Sequence, residues 1–227
     1  MRPSSVSATP AGGSSPARAT RCRRNASETR TGPITSLPIS AIPRISTVLS
    51  AEAKDFLDGP LHALVNNAGV WPKSPTRERL GTLNGDIEDW HRVFHLNFLV
   101  PLILSRAFAA ALARGNGAIV NITSIAGHMV HPFAGSAYAT SKAALSALTR
   151  EMAADFTRLG VRVNAVAPGE IETAMVGPEY DSLIPRIPLH RLGTPEEVAG
   201  VVYQLCALDF GYVTGSEIFI TGGQHLL

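Results

Sequence analysis

Residues 117–166 read GAIVNITSIAGHMVHPFAGSAYATSKAALSALTREMAADFTRLGVRVNAV, and this stretch decides the fold. The β-branched run at residues 118–122 follows a glycine, which predicts a short buried strand. Residues 136–159 have helical periodicity, and residues 161–166 predict a second strand. The apolar stripe of that helix consists of Leu145, Leu148, Met152 and Phe156. A strand, a long crossover helix and a strand predict two parallel neighbours in one sheet.

The same alternation continues on both sides of this unit. We predict a strand at residues 61–66 and a helix at residues 86–114 before it, and a helix at residues 195–208 and a strand at residues 217–220 after it. Thr194 and Glu197 have the spacing of a capping box at the start of the last helix. The fold class is therefore predicted to be α/β, a Rossmann-like doubly wound parallel sheet.

Composition excludes several classes of protein. The chain has 227 residues, of which 45% are hydrophobic, and this length suits one domain with a sizeable core. It contains no run of 18 uncharged apolar residues, so we expect no transmembrane helix. Two cysteines make neither a disulfide scaffold nor a four-ligand zinc site. His91 and His95 share a helix face without an evident third ligand, so no metal is predicted.

The first 45 residues differ in composition from the rest. They hold seven arginines, one acid and no aromatic residue, which gives a charge of +6, whereas residues 46–227 carry −4. Such a segment offers little to bury, so we interpret residues 1–45 as a disordered or aberrant head before a domain at residues 46–227. An organelle transit peptide and a nucleic-acid contact are alternatives, although prolines spoil an amphipathic helix and no binding motif is present.

Tyr138 and Lys142 form the strongest chemical pair in the sequence. Their i, i+4 spacing places both on one helix face. An ammonium roughly 5 Å from a phenol, at an effective dielectric of ~20, favours the phenolate by about 3 kcal/mol. That corresponds to a pKa lowered by roughly two units, enough for acid–base work near neutral pH. The alternative is a chance pair on an exposed helix face.

Other polar or small residues follow the predicted strands, where open α/β sheets bind ligands. Ser124 ends the second strand, and its alternative role is simply to cap it. Asn97 precedes Pro101 by four residues, and because proline has no N–H, the Asn97 carbonyl lacks its helical hydrogen-bond donor. This predicts a water-binding site within the helix. The alternative is a simple proline kink in a surface helix. The remaining candidates at strand ends are Asn67, Ala68, Gly69, Pro168, Gly169, Ile171 and Thr173.

In this order, NNAG, Asn97, Ser124, Tyr-x-x-x-Lys and P-G-x-x-x-T resemble the short-chain dehydrogenase/reductase family, from about residue 47 to the end. The resemblance implies reversible hydride transfer between NAD or NADP, which the sequence does not distinguish, and a small-molecule carbonyl or alcohol. It implies that Tyr138 is the general acid–base, that Lys142 lowers its pKa and binds the nicotinamide ribose, and that Ser124 polarises the substrate oxygen. It also implies that Asn97 holds the water of a proton relay.

By the same resemblance, the cofactor is lined by Asn67, Ala68, Gly69, Tyr138, Lys142, Pro168, Gly169, Ile171 and Thr173. The long helices would pack in a homo-oligomer, a tetramer or a dimer. We expect a cytoplasmic protein with neither a nucleic-acid nor a membrane partner. Apolar residues near the catalytic set predict a substrate pocket under a mobile lid at residues 170–189; they are Trp71, His128, Val130, Phe133, Met175 and Tyr180.

The sequence departs from the family at its beginning. The family opens with a strand and T-G-x-x-x-G-x-G, and none of the 20 glycines here has that spacing. We therefore predict that the N-terminal βαβ portion is missing or replaced. Read two bases on, the codons of residues 38–46 permit D-I-S-D-P-A-D-I, a family-like string, so a frameshifted head is one interpretation and a native unrelated tail is the other. A non-catalytic, oligomerising interaction protein is the alternative function.

Overall fold

The computed structural model describes residues 59–74, 78–173 and 176–227. In this part of the chain, four strands form one parallel sheet in the order β1-β2-β3-β4. They are β1 (Ala63–Asn66), β2 (Ala118–Ile122), β3 (Arg162–Pro168) and β4 (Glu217–Ile220). Because every pairing is parallel, all four carboxyl ends meet at one edge of the sheet. The parallel α/β fold class is confirmed.

Five α-helices connect and cover the strands in the described residues. They are α1 (Ile87–Phe94), α2 (Val100–Ala107), α3 (Ala109–Arg114), α4 (Ser136–Phe156) and α5 (Pro195–Cys206). Segments of 3₁₀ helix lie at Ile125–Gly127, Thr157–Leu159, Pro178–Arg186, Leu208–Phe210 and Gln224–Leu226. None of the described helices is long and apolar enough to cross a membrane.

The prediction of one continuous helix at residues 86–114 is wrong. Asp86 caps α1, a π-helical turn occupies His95–Leu99, and the chain breaks again at Phe108, where ψ is 5°. At the π turn, the Val100 N–H donates to the His95 carbonyl, five residues back. Pro101 has no N–H and its ring crowds the carbonyl four residues before it, so the wider turn accommodates the proline without ending the helix path.

The other element boundaries differ from the prediction by a few residues. β1 begins at Ala63 rather than residue 61, and β3 spans Arg162–Pro168 rather than residues 161–166. The long helix α4 ends at Phe156 and continues as a 3₁₀ turn, and α5 stops at Cys206. The capping box is confirmed, because Thr194 and Glu197 exchange their side-chain and backbone hydrogen bonds.

Helices pack on both faces of the sheet. On one face, α2, α3 and α4 form a core cluster, whose buried members are Phe108, Leu112, Ile119, Met152, Ala153, Phe156, Val161 and Val163. On the other face, Val120, Val166 and Leu205 pack with partly buried residues of α5 and β4. The doubly wound arrangement therefore holds for β2 and β3, the central strands of the described sheet.

The edge strand β1 is covered on one face only among the described residues. Leu64 packs against the cluster built by α2–α4, but Ala63 and Val65 point the other way and Val65 is 42% exposed. The predicted division between residues 45 and 46, and the predicted disordered head, lie outside the described residues. Both stay predictions.

Candidate active site

A cavity of about 820 Å³ runs along the carboxyl edge of the sheet. Ser124, Tyr138 and Lys142 line it, as do most of the predicted cofactor residues: Asn67, Gly69, Pro168, Gly169, Ile171 and Thr173. Ala68 is exposed at the end of β1 and is not part of this wall. Asn97 is fully buried behind the wall. The structure therefore gathers most of the predicted residues around one cavity, whereas Ala68 and Asn97 do not line it.

Tyr138 and Lys142 lie one turn apart near the start of α4. The Lys142 Nζ is 5.7 Å from the centroid of the Tyr138 ring. The same ammonium donates a hydrogen bond of 2.6 Å to the carbonyl of Ile122, the last residue of β2. Because Lys142 is buried and held by this strand, its side chain has a fixed position next to the phenol. The close pairing expected from the i, i+4 spacing is confirmed.

The expected direction of the Tyr138 pKa shift is wrong. Burial raises the pKa of Tyr138 above its ordinary value, a hydrogen bond with Ser124 opposes that rise, and the charge of Glu170 adds to it. Burial lowers the pKa of Lys142 to about 8. Desolvation, which disfavours the charged form of both groups, outweighs the attraction between the phenolate and the ammonium. With its pKa raised, the Tyr138 phenol keeps its proton at neutral pH.

Ser124 lies where β2 ends and the 3₁₀ turn Ile125–Gly127 begins. Its Oγ accepts a hydrogen bond of 3.1 Å from the Ala126 N–H and also hydrogen-bonds the Tyr138 phenol. A Cβ at Gly127 would lie 2.8 Å from the backbone nitrogen of Ala143, so only glycine lets this turn pack so closely on α4. That close approach sets Ser124 beside Tyr138.

Asn97 uses its whole side-chain amide to hold the turn after β1. Its Oδ1 accepts from the Val70 N–H at 2.8 Å, and its Nδ2 donates to the Val70 carbonyl at 3.0 Å and the Ser141 Oγ at 3.1 Å. A Cβ at Gly69 would lie 3.3 Å from the Asn97 Oδ1 and 3.5 Å from the Lys142 Nζ. Asn97 thereby fixes a glycine turn against Lys142, while its predicted role in holding a water stays a prediction.

Two buried residues that the sequence analysis missed complete one end of the cavity. The His131 Nε2 is 2.7 Å from the Glu170 Oε1, and both side chains are only 4% exposed. Gln224 donates to the same Oε1 at 3.2 Å. Both His131 and Glu170 line the cavity. The sequence did contain a signal, namely an acid directly after Pro168 and Gly169 in a loop predicted to meet ligand.

The predicted substrate residues are only partly brought together. Trp71 and Tyr180 line the cavity. Phe133 contacts Tyr180 in a tilted arrangement with centroids 5.0 Å apart but is not part of the wall, and Val130 is exposed. His128 turns away: its Nε2 lies 3.1 Å from Glu217 Oε2, at the far edge of the sheet. Met175 lies outside the described residues.

The segment predicted to act as a lid packs on the body over most of its described length. Residues 178–186 form the 3₁₀ turn, and Tyr180, Leu183 and Ile187 are buried. The predicted mobility stays untested. No group of three or more His, Cys, Asp or Glu side chains within the described ranges is arranged to hold a metal ion.

The residues present fit the nicotinamide end of a dinucleotide. Gly69 and Gly169 let the backbone approach its neighbours closely, since a Cβ at Gly69 would lie 3.5 Å from the Lys142 Nζ and a Cβ at Gly169 would lie 3.0 Å from the Thr221 Cα. Lys142 and Thr173 supply polar side chains on the same wall. A second half-site for the pyrophosphate would need the glycine-rich loop, and no segment of the sequence has that spacing.

Comparison with known proteins agrees with this geometry. The family model described as Enoyl-(Acyl carrier protein) reductase matches residues 14–225, a range that begins earlier than the resemblance near residue 47. The chain is 56% identical over 177 residues to Protein FixR of Bradyrhizobium diazoefficiens, covering 77% of this chain and 64% of that protein. The chain thus spans somewhat less than two thirds of the length of that curated relative.

Two solved structures from Brucella share the fold and were determined with a cofactor. One is an oxidoreductase of the short-chain dehydrogenase/reductase family from Brucella ovis, in complex with a partially ordered NAD; it is 44% identical, with a TM-score of 0.60 over 80% of this chain and 72% of that one. The other is a 3-oxoacyl-[acyl-carrier protein] reductase with bound NAD from Brucella melitensis, 31% identical, with a TM-score of 0.74 over 80% and 68%. On this evidence the chain belongs to the short-chain dehydrogenase/reductase family.

Proposed function

We propose that this protein is an oxidoreductase that transfers a hydride reversibly between a nicotinamide cofactor and a small carbonyl or alcohol substrate. One observation carries the proposal: Ser124, Tyr138 and Lys142 line the same cavity as the glycine turns at Gly69 and Gly169. A protonated acid, a hydroxyl and an ammonium thus line one cavity beside two glycine turns. Membership of the family supports the same reaction type.

Tyr138 acts in this proposal as the proton donor. Its raised pKa keeps the phenol protonated at neutral pH, so the hydroxyl has a proton to give to the oxygen of a carbonyl substrate. Ser124, which already hydrogen-bonds that phenol, holds the same substrate oxygen and orients it towards Tyr138. NAD or NADP, when bound, supplies or accepts the hydride.

Lys142 and Asn97 position the groups around that proton transfer. Lys142 lies 5.7 Å from the Tyr138 ring and stabilises negative charge on the phenolate when the proton has left. Its Nζ also faces the Gly69 turn, where a nicotinamide ribose would lie. The Asn97 side chain hydrogen-bonds the backbone of that turn at Val70. Loss of Asn97 would therefore shift the turn and would not remove a reacting group.

The test is turnover of a panel of ketones and aldehydes by the full chain with NADH and with NADPH. Tyr138→Phe removes only the phenolic oxygen, and we expect it to lower kcat by about 10²–10⁴-fold. Tyr212→Phe is the matched control, because Tyr212 is fully exposed and does not line the cavity. Equal turnover by the two variants would contradict the assignment of Tyr138. The panel would also show which cofactor is preferred.

A second candidate is a non-catalytic interaction protein that keeps this fold. The absence of the T-G-x-x-x-G-x-G spacing from the sequence favours it. Calorimetry with NADH and NADPH separates the two candidates: binding of either supports the oxidoreductase. A folded chain that binds neither cofactor would favour the interaction protein.

We also propose that the protein is a homodimer or homotetramer assembled through the α1–α4 side. Ile87 in α1 and Leu99 in the π turn are exposed apolar side chains on that side. Sedimentation equilibrium tests the state directly, and Leu99→Asp is expected to shift the mass towards the monomer. A monomeric wild-type chain would contradict it. The cytoplasmic location stays a prediction.

A further inference from the structure

Glu170 places a carboxylate in the wall of the cavity next to the proposed proton donor. It lies in the loop after β3, its side chain is 4% exposed, and it lines the cavity together with Tyr138 and Tyr180. Hydrogen bonds from His131 and Gln224 hold its Oε1 in place. A carboxylate this deeply buried is costly unless a positive charge compensates it.

The two side chains that hydrogen-bond the Glu170 carboxylate, His131 and Gln224, do not supply that positive charge. The His131 Nδ1 accepts hydrogen bonds from the backbone N–H groups of Phe133 and Ala134, at 3.1 and 3.0 Å. A ring nitrogen that accepts carries no proton, so His131 is the neutral tautomer and donates from Nε2 to Glu170. Gln224 is neutral as well. The ammonium of Lys142 is bound instead to the carbonyl of Ile122.

The negative charge of Glu170 extends across the cavity. Burial raises the pKa of both Tyr138 and Tyr180, and the charge of Glu170 adds to the rise in each. Two phenols on the cavity wall are therefore close enough to respond to the same carboxylate. A positively charged group placed between them and Glu170 would compensate its charge.

Aromatic rings complete a site of this kind. Trp71 lies 6.1 Å from Tyr138 and 6.3 Å from Tyr180, centroid to centroid, and all three rings line the cavity. Ring faces attract cations through their quadrupole, most strongly for tryptophan. The Trp71 ring already does so, since the Lys73 Nζ lies 4.9 Å from its centroid.

We infer that the substrate carries a positively charged ammonium group, which binds between Glu170 and the rings of Trp71 and Tyr180. The inference rests on the proposed function in one respect, because the reacting oxygen is placed at Ser124 and Tyr138. Glu170 is then a specificity-determining residue that selects an amino ketone or amino alcohol over an uncharged one of the same shape.

The experiment compares two isosteric ketones by calorimetry on the full chain without cofactor. One is 5-(trimethylammonio)pentan-2-one, and the other is its uncharged carbon analogue, 6,6-dimethylheptan-2-one. We expect the charged ketone to bind at least about tenfold more tightly to the wild-type chain. Glu170→Gln keeps the size of the side chain and a hydrogen-bond acceptor but removes the charge. We expect this variant to bind the two ketones about equally.

Matched variants make the result specific. Glu172→Gln changes an exposed acid two residues away and should leave the tenfold preference unchanged. Trp71→Leu removes a ring without touching the carboxylate and should reduce the preference severalfold, which keeps the test decisive even if Glu170→Gln does not fold.

Three results would overturn the inference: no measurable binding of the charged ketone, equal binding of both ketones to the wild-type chain, or a preference that survives both Glu170→Gln and Trp71→Leu. Failure here is distinguishable from failure of the proposed function. If the chain reduces uncharged ketones and Tyr138→Phe loses that activity, the oxidoreductase proposal stands. The inference of a charged substrate can then still fail by itself.

Discussion

Strands β2 and β3 lie between helices on both faces of the sheet, whereas β1 is covered on one face in the described residues. Val120, Val163 and Val166 are completely buried, but Val65, directly beside Val120 in the register, is 42% exposed. The covered strands hold the fold together through their apolar contacts. The half-covered strand leaves room at its other face, and the cavity runs along it, past Ala63 and Val65.

The same difference divides the candidate site. The side chains that we propose to react come from the covered part, since Ser124 follows β2 and Tyr138 and Lys142 lie on α4. β1 contributes a glycine turn that Asn97 holds in place. Chemistry is therefore placed on rigid, buried elements, and the open edge supplies space. Four variants test this division between covered and open parts of the sheet.

The largest effect is expected from the covered face. Leu112 is fully buried in the cluster between α2–α4 and the sheet, so Leu112→Ala leaves a cavity that the neighbours fill only partly. We expect a loss of about 2–5 kcal/mol in the free energy of unfolding, measured by urea denaturation. Leu208→Ala, at an exposed leucine, should stay within about 0.5 kcal/mol. Similar costs for the two variants would contradict the assigned core.

The buried ammonium of Lys142 makes stability depend on pH. Its pKa falls from 10.5 in the unfolded chain to about 8 in the folded protein, so between these values the unfolded chain binds more protons. The free energy of unfolding of the wild-type chain, relative to Lys142→Met, should therefore rise as the pH goes from 8 to 10.5, by on the order of 3 kcal/mol. A difference that stays flat over this range would show that Lys142 is solvated.

A buried polar chain ties β1 to the covered side. Asn66 Nδ2 donates to Asn121 Oδ1 at 2.8 Å, and Asn121 Nδ2 donates to Thr149 Oγ1 at 2.9 Å. Asn121→Ala leaves both partners without this bond, and we expect it to cost about 1–3 kcal/mol in thermal or urea unfolding. Thr149→Val removes only one end and should cost less. If Asn121→Ala is neutral, β1 is not fixed to the sheet through this contact.

The smallest effect is expected at the open face of β1. Val65→Ala removes two methyl groups that are already partly in contact with solvent, so the free energy of unfolding should change by less than about 0.5 kcal/mol. The same urea series used for Leu112→Ala measures it. A cost above about 1.5 kcal/mol would mean that another element covers this face of β1.

Regular patterns in the sequence predicted the covered part well. The β-branched run of β2, the stripe that buries Leu145 and Met152, and the capping box at Thr194 all follow from local periodicity and capping rules. The cavity-lining glycines at Gly69 and Gly169 were found because ligands gather at strand ends.

Features that depend on burial and on distant contacts were missed. The π turn at His95–Leu99 contains Asn97, whose side chain hydrogen-bonds Val70, 27 residues earlier in the sequence. The pairing of His131 with Glu170 joins residues 39 apart. The raised pKa of Tyr138 comes from desolvation, which no spacing of residues reveals.

Binding of reduced nicotinamide mononucleotide to the full chain is the sharpest test of the proposed cofactor site, because this ligand needs only the nicotinamide end that Lys142 and the glycine turns are proposed to hold. Gly69→Val would fill the space beside Asn97 Oδ1 and Lys142 Nζ, whereas Gly200→Val adds the same atoms where nothing lies within 4 Å. We predict that the wild-type chain and Gly200→Val bind this ligand in a calorimeter and that Gly69→Val does not. Equal binding by Gly69→Val, or none by the wild-type chain, would contradict the assignment of this cavity as the nicotinamide site.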